Sequence, residues 1–261
     1  MPSITSSRKK QERRYILCIV AMVATCLVVA VVELSVGALQ INPIDSVLAL
    51  FGIGSAQDVN TIQSIRLPRT ACAIVAGAGL ALAGAALQSV LENPLASAST
   101  VGISQGAAFG ATTAILVIVP TVFGSSSEMG MTAIALCAFV GAMVSSVVVL
   151  LFSRMGLATP ESIILVGVAL SALWAGASTI MQYFSDDLNL TKVIFWQFGD
   201  LGRATWPQIG FMAIIGSLCS LYFFLNRWNY NALQNGAHVA GGLGVDVART
   251  RTVGVFVASL M

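Results

Sequence analysis

The amino-acid sequence predicts an all-α protein, a bundle of helices that crosses a membrane several times. Of its 261 residues, 57% are hydrophobic and only 9% are charged, and the mean hydropathy is +0.88. A soluble domain usually carries roughly 25% charged residues, so this composition excludes the soluble fold classes. The apolar residues are grouped into long uncharged runs of the length that a helix needs to cross a bilayer.

The first of these runs follows a basic start. Residues 1–14 hold five basic residues and one acid, and the next 18 residues, Tyr15 to Val32, are uncharged. A basic start before an apolar run can be a cleaved signal peptide. This run continues past Glu33 without a clean small-residue cleavage site. We therefore predict an uncleaved first span near 15–37, preceded by a cytoplasmic basic N-terminus.

A short apolar piece follows in a region of turn-forming residues, 38–65. This piece, Val47 to Ile53, is too short to cross a bilayer. We expect it to lie at the membrane surface or to pack as a short helix.

The remaining uncharged runs complete the transmembrane domain, 15–261. They predict six complete spans, near 15–37, 70–91, 101–122, 131–153, 162–184 and 207–226. Charged residues, among them Asp186 and Asp187 after the fifth span, mark the connecting loops. A seventh span begins around Thr252, but ten residues from there to Met261 cannot cross a core of about 30 Å. We therefore expect a chain that is truncated or that continues in another piece.

The distribution of basic residues predicts the orientation, because cytoplasmic loops carry an excess of Lys and Arg. An N-terminus inside the cell places nine of the 13 basic residues on the inner side and four on the outer side. The outer four are Arg66, Arg69, Lys192 and Arg203. The N-terminus and the loop 227–251 are then cytoplasmic.

Glycine spacing indicates that the helices pack closely. Gly102, Gly106 and Gly110 recur every four residues. Small residues at this spacing let helix backbones approach each other in lipid. Glycine is also common in membrane helices for no specific reason, but three at a regular interval favour a packing role.

The sequence offers little to an enzyme or to an ion-coupled carrier. It contains no catalytic motif, its five cysteines lie in apolar runs without metal-binding spacing, and His238 is its only histidine. We expect no cofactor and no resident metal. Glu33 is the one acidic residue near the interior of a predicted span; it is a functional candidate or a residue that reaches to the interface. Transport would therefore draw its energy from another subunit.

Two polar regions are candidates for contacts with partners. Arg66 and Arg69 stand at the outer entrance of the second span, where guanidinium groups suit an acidic protein surface. Simple flanking by positive charge is the alternative. The inner loop 227–251 is long enough to dock a cytoplasmic partner or to serve as a connector. We expect one or two short helices in it, separated at Gly241–Gly242 and Gly244.

An ordered series of motifs resembles a known family. The motifs are RLPR at 66–69, GLALAGAALQ at 79–88, NPLA at 93–96, GISQGAAFGA at 102–111, GVALSAL at 167–173, FWQFGDL at 195–201 and NALQNGAHVAGGLGVDVARTR at 231–251. The sequence is similar to the FecCD/BtuC-like permease subunits of type II ATP-binding-cassette (ABC) importers, which take up iron-siderophores, haem and cobalamin. The resemblance implies ten spans per subunit, a dimer of permeases, two cytoplasmic ATPase subunits and an external substrate-binding protein.

The resemblance also implies roles for individual residues. Arg66 and Arg69 would meet acidic residues of the binding protein, and Asn93 and Leu95 would form part of a cytoplasmic gate. The residues implied to couple to the ATPase are Leu233, Gly236, His238, Val239, Leu243 and Gly244. The chain departs from the family pattern nearby, with Ala237 and His238 in place of acidic residues and Gly241–Gly242 in place of a polar pair.

The resemblance makes the leading hypothesis a permease subunit that imports an iron-siderophore-type chelate across the plasma membrane of a prokaryote. Its expected partners are ATPase subunits, a binding protein and a second permease subunit, identical or paralogous, with no nucleic acid. Haem and cobalamin are the substrates expected after ferric siderophores. The alternative is a non-transporting truncated remnant or membrane scaffold. An intramembrane enzyme lacks a candidate nucleophile or metal constellation.

Overall fold

The computed structural model describes residues 4–37, 39–123, 128–154, 160–199 and 201–261. These residues form helices and connecting turns without a β-strand, which confirms the all-α prediction. The α-helices are α1 (Ile4–Ser35), α2 (Pro43–Leu50), α3 (Ala56–Thr61), α4 (Leu67–Val90), α5 (Ile103–Thr113), α6 (Glu128–Arg154), α7 (Pro160–Tyr183), α8 (Asp187–Phe198), α9 (Trp206–Leu225), α10 (Arg227–Leu233), α11 (Ala237–Gly242) and α12 (Val247–Ser259). Two π-helical stretches, Ile62–Arg66 and Ala114–Phe123, and a 3₁₀ turn at Leu201–Arg203 complete them.

Six helical stretches in the described part of the chain have the length and composition of membrane spans. They are Lys10–Ser35, Ala56–Val90, Ile103–Val122, Met129–Phe152, Ser162–Tyr183 and Trp206–Leu225. Each overlaps one of the six predicted spans, so the predicted number and order are confirmed. The second stretch begins well before the predicted residue 70, because α3 and the π-helical turn run into α4 without a break.

The chain forms two compact units. The first comprises the chain up to Ile74 together with Leu201–Ile209, and the second comprises the segment from Val75 to residue 199 together with Gly210–Met261. Both α4 and α9 contribute residues to each unit.

The first unit has a small core under α2. Leu34, Ile41, Ala49 and Ile62 are buried together. Gln63 Nε2 fixes the end of α2 by donating to the carbonyls of Ala49 and Leu50, each at 3.2 Å. The apolar piece near Val47 therefore contributes to a short helix that packs on this core, which is the second of the two predicted alternatives.

The second unit depends on close contact between the backbones of α5 and α6. A methyl group on Gly106 would overlap the carbonyl of Gly141, and one on Gly110 would overlap the carbonyl of Cys137. Side chains larger than hydrogen would force these helices apart. The contact thus supplies dense van der Waals packing where lipid offers no hydrophobic driving force.

Gly102 contributes in a different way from the other two glycines. It precedes α5 with a φ of +85°, which L-residues rarely adopt. A methyl group there would lie 3.0 Å from the Gly167 carbonyl of α7. Gly102 is therefore a turn residue against α7, although its spacing placed it in line with Gly106 and Gly110.

Two helices differ from the sequence-based expectation. The region after the fifth span was expected to be a loop, but residues from Asp187 form the 12-residue α8. Asp186 caps it, accepting from Asn189 N–H at 3.3 Å and from Asn189 Nδ2 at 2.8 Å, and these bonds hold the pKa of Asp186 below its usual value. The last helix begins at Val247 rather than near Thr252, because Asp246 caps it.

The close packing of α5 and α6 gives a stability prediction. Gly110→Ala should lower the free energy of unfolding by about 1–3 kcal/mol, because its methyl group has no space beside α6. Gly84→Ala is the matched control, since nothing lies within 4 Å of its added methyl group. Thermal unfolding in detergent measures both, and equal midpoints would contradict the packing role.

Candidate functional site

Arg66 lies at the end of the π-helical turn before α4, and its side chain is buried. Only 7% of the residue is exposed. Nη1 donates to the Leu34 carbonyl at 2.6 Å, and Nη2 donates to the Leu39 carbonyl. These bonds satisfy carbonyls at and beyond the end of α1, where the helix itself offers no donors. Arg66 therefore anchors the chain after α1, and its guanidinium is buried against these carbonyls.

The Arg66 guanidinium lies so close to Gly37 that residue 37 has no room for a side chain. A methyl group on Gly37 would come within 2.8 Å of Arg66 Nη2. The chain after α1 therefore passes close to the arginine, and a larger residue would displace one of them.

Arg69 lies in the first turn of α4 and is mostly exposed. Its side chain is 63% exposed, and its Nε lies 3.8 Å from Glu33 Oε1. Glu33 is itself 34% exposed, and it also accepts a hydrogen bond from the Thr70 hydroxyl. An ion pair at such exposure contributes little, roughly 0–1 kcal/mol. Arg69 is thus free to exchange Glu33 for an external carboxylate, and Glu33 has specific protein partners.

Residues 91–102, named the inner turn after the side of the membrane predicted for them, begin where α4 ends. Glu92 has a φ of +48°, the one positive value at a non-glycine residue in the described ranges. Asn93 N–H donates to the Gln88 carbonyl at 3.1 Å, which closes a Schellman motif with Glu92 where glycine is usual. This conformation costs a non-glycine residue about 1–2 kcal/mol.

The rest of the inner turn is held by local hydrogen bonds. Asn93 Oδ1 accepts from Leu95 N–H at 2.8 Å, and Ser97 N–H donates to Thr100 Oγ1 at 2.8 Å. Leu95 is 77% exposed, whereas the following Ala96 is 1% exposed. The two predicted gate residues therefore lie together: Asn93 shapes the turn, and Leu95 projects from it.

The inner loop predicted at 227–251 forms two short helices, α10 and α11, and then the start of α12. Residues 227–246, which precede α12, are named the coupling segment after their predicted role. The sequence placed the separation of the two helices at Gly241–Gly242, but these glycines form the last turn of α11. The break lies instead around Gly236, with a φ of +102°, and Gly244, with a φ of +85°, ends the segment before α12. Gly241 and Gly242 adopt the ordinary helical conformation, with φ of about −60°. Gly236 and Gly244 break the helices because they adopt positive φ, which glycine tolerates best.

The predicted coupling residues divide into buried and exposed sets. Leu233 is fully buried, with Ala240 and Tyr230, in the core that also contains Leu87 and Val90 of α4. In contrast, His238 is exposed, Val239 is 50% exposed and Leu243 is 71% exposed. One side of the segment therefore packs on the end of α4, and the other side is open to a partner.

Polar contacts reinforce this packing. Gln234 Nε2 donates to Ser89 Oγ at 2.8 Å. Tyr230 OH donates to Tyr222 OH at 3.2 Å, and burial, then this hydrogen bond, raises the pKa of Tyr230. Its hydroxyl therefore stays neutral at physiological pH.

An ion pair connects the inner turn to α12. Arg251 Nη2 donates to Glu92 Oε1, with the side chains 19% and 21% exposed, respectively. The two residues are 159 positions apart in the chain. No local pattern in the sequence joins them, so sequence reasoning did not find this contact.

Two other residues were missed although the sequence holds a signal for them. Gly141 lies against the backbone of α5, and Gly167 lies against the backbone of the inner turn. Each is followed four residues later by a serine, Ser145 and Ser171. This small-residue spacing is the same signal that selected the glycines of α5.

Metal-binding chemistry is not assembled in the described ranges. No group of three or more His, Cys, Asp or Glu side chains comes together there to hold an ion. The distinctive features are instead an exposed arginine at the start of α4, a hydrogen-bonded turn at its end and a partly exposed pair of short helices.

Six helices of membrane-spanning length and composition in the described ranges indicate a multi-pass membrane protein. Residues 22–261 match the model of the FecCD transport family. The chain belongs to this family and is a permease subunit of an ABC transporter, not an enzyme.

Individual relatives support this assignment. The chain is 41% identical to an ABC transporter permease protein of Methanocaldococcus jannaschii, covering 99% of this chain and 75% of the relative. It is 33% identical to an Fe(3+)-citrate import system permease of Bacillus subtilis (95% and 72% covered) and 31% identical to a vitamin B12 import system permease of Vibrio vulnificus (92% and 68%). A solved inward-facing structure of a metal-chelate type ABC transporter is similar, with 27% identity and a TM-score of 0.74 over 94% of this chain and 72% of that one.

The different environments of the two arginines give a prediction. Arg66→Gln should destabilise the protein by on the order of 3 kcal/mol, because two hydrogen bonds from a buried charged donor are lost. Arg69→Gln, the matched control, should leave stability nearly unchanged because Arg69 is exposed. Thermal unfolding and limited proteolysis measure the difference. Equal losses in the two variants would show that Arg66 is not an anchor.

Proposed function

We propose that this permease subunit imports a metal chelate of the iron-siderophore class, using ATP hydrolysis by cytoplasmic partner subunits. The observation that carries the proposal is the division of the coupling segment. Val239 and Leu243 are exposed, while Leu233 and Ala240 pack on the end of α4 beside the inner turn. An ATPase that binds the exposed side would act directly on the elements that border a gate.

The proposed orientation has the N-terminus in the cytoplasm of a prokaryotic cell. Nine of the 13 basic residues then face inward, as the positive-inside rule favours. The inner turn and the coupling segment then lie on the cytoplasmic side, where ATP is available. The transporter would also need a second permease subunit, identical or paralogous, to enclose a pathway.

On the outer side, we assign docking of a substrate-binding protein mainly to Arg69. Its exposed guanidinium can form paired hydrogen bonds with a carboxylate of the partner. Glu33 orients it in the free protein, and Arg66 holds the backbone from which α4 begins. In this proposal Arg69 contacts the binding protein, and Arg66 holds the start of α4 in the position from which Arg69 does so.

The substrate class rests on the relatives. The Bacillus subtilis protein is named for import of Fe(3+)-citrate, and the Vibrio vulnificus protein for import of vitamin B12. Both substrates hold a metal ion inside an organic ligand. Ferric chelates are proposed first, and cobalamin is the substrate to compare.

A charge reversal tests the docking surface. Arg69→Glu should reduce ATP-dependent uptake of radiolabelled ferric citrate by about tenfold or more, because like charges across an interface cost several kcal/mol. The assay uses vesicles that contain the permease and its ATPase subunits, with the binding protein outside. Labelled cobalamin, in parallel vesicles, distinguishes the two substrate classes.

The control for that experiment is Lys192→Glu. It makes the same charge change at an exposed residue of α8, also on the proposed outer side. Uptake should remain near the unmodified level. Normal uptake and normal binding-protein affinity in Arg69→Glu would remove the docking role, and failure of the unmodified chain to associate with ATPase subunits would favour a scaffold.

A further inference from the structure

We propose that the Glu92–Arg251 ion pair transmits movement of the coupling segment to the inner turn during the transport cycle. This inference rests on the proposed function and adds two positioning residues to it. The pair joins the inner turn to α12, 159 positions apart in the chain, and both side chains are only partly exposed.

The first step runs from the coupling segment to α12. Val245 N–H donates to the Ala240 carbonyl at 3.0 Å, so α11 and the turn after it are closely tied. Asp246 then caps α12 by accepting from Arg249 N–H at 3.0 Å. Displacement of α11 therefore reaches the first turns of α12, which carry Arg251.

The second step runs from α12 to the inner turn. Glu92 is the partner that the structure gives to the Arg251 guanidinium within the described ranges, and Arg251 Nε is buried without an acceptor there. Glu92 in turn is the residue that reverses the chain at the end of α4, with a φ of +48°. A pull on its carboxylate acts at the point where the inner turn leaves the helix.

The identity of residue 92 supports a specific role for its side chain. Glycine is the usual residue at this place in a Schellman motif, because it adopts positive φ without strain. The chain has glutamate there and places its carboxylate on Arg251. A second contact also joins the coupling segment to the end of α4, since Gln234, the residue after α10, donates to Ser89, three residues before Glu92.

Removing a purely stabilising ion pair would lower stability without changing the response to nucleotide, so the test follows movement of the inner turn. Leu95 is exposed at the inner turn and is suited to a reporter. Leu95→Cys is introduced after the five native cysteines are replaced by alanine. The rate of modification by a membrane-impermeant thiol reagent is measured in the complete complex with its ATPase subunits, in inverted vesicles, without nucleotide and after vanadate trapping.

The expected result is a nucleotide-dependent rate in the parent that becomes nearly nucleotide-independent in Glu92→Gln. Association with the ATPase subunits and their basal hydrolysis should persist in this variant. The charge exchange Glu92→Arg with Arg251→Glu should restore the nucleotide dependence. Arg249→Gln is the control, because it removes a single charge from an exposed position two residues before Arg251 on α12, and it should leave the nucleotide dependence intact.

Each outcome decides between the two claims. A parent complex that shows no nucleotide dependence overturns the proposed gate and the transmission role together. A parent that responds, with Glu92→Gln responding equally, overturns the transmission role alone. Loss of response in both Glu92→Gln and the charge-exchanged variant also contradicts it, because the pair itself would then not be the requirement.

Discussion

The packing of the coupling segment on the last turns of α4 is the contact on which the functional part of this structure depends. Leu87 and Val90 of α4 lie in one buried cluster with Leu233 and Ala240 of the segment. Ala96 and Val101 of the inner turn belong to the same cluster, and so do Val255 and Ala258 of α12. Because interiors of this density resist deformation, these elements should move together.

A second constraint comes from the membrane itself. Helix association in lipid relies on close van der Waals contact and on satisfied polar groups. Gly106 and Gly110 supply the contact between α5 and α6, and Gly102 supplies it against α7. Polar groups at helix ends also need partners, and Arg66 supplies donors to two carbonyls at and beyond the end of α1.

The sequence was sufficient for the features that depend on composition and local pattern. Long uncharged runs predicted all six candidate spans, and ordered motifs identified the family. α8 was missed because Asp186 and Asp187 were interpreted as loop markers, although an aspartate before a helix is also a common cap. The break in the coupling segment was misplaced because the adjacent pair Gly241–Gly242 was given more weight than Gly236, which has the positive φ that a break requires.

The sequence was insufficient where a residue's role depends on distant partners. Arg66 and Arg69 are equivalent in the motif, yet one is buried on two carbonyls and the other is exposed beside Glu33. The difference arises from the path of the chain after α1, which no local pattern encodes. The contact between Glu92 and Arg251 is hidden for the same reason, since only the packing of α12 brings them together.

Hydrogen–deuterium exchange in the assembled transporter tests the central claim, that the coupling segment and the inner turn form one mechanical body. Backbone amides are followed in residues 236–244 and 92–100, with and without the ATPase subunits. Binding of the ATPase subunits should slow exchange in both stretches, because they share one core. Slower exchange in residues 236–244, with no change in the inner turn, would contradict it.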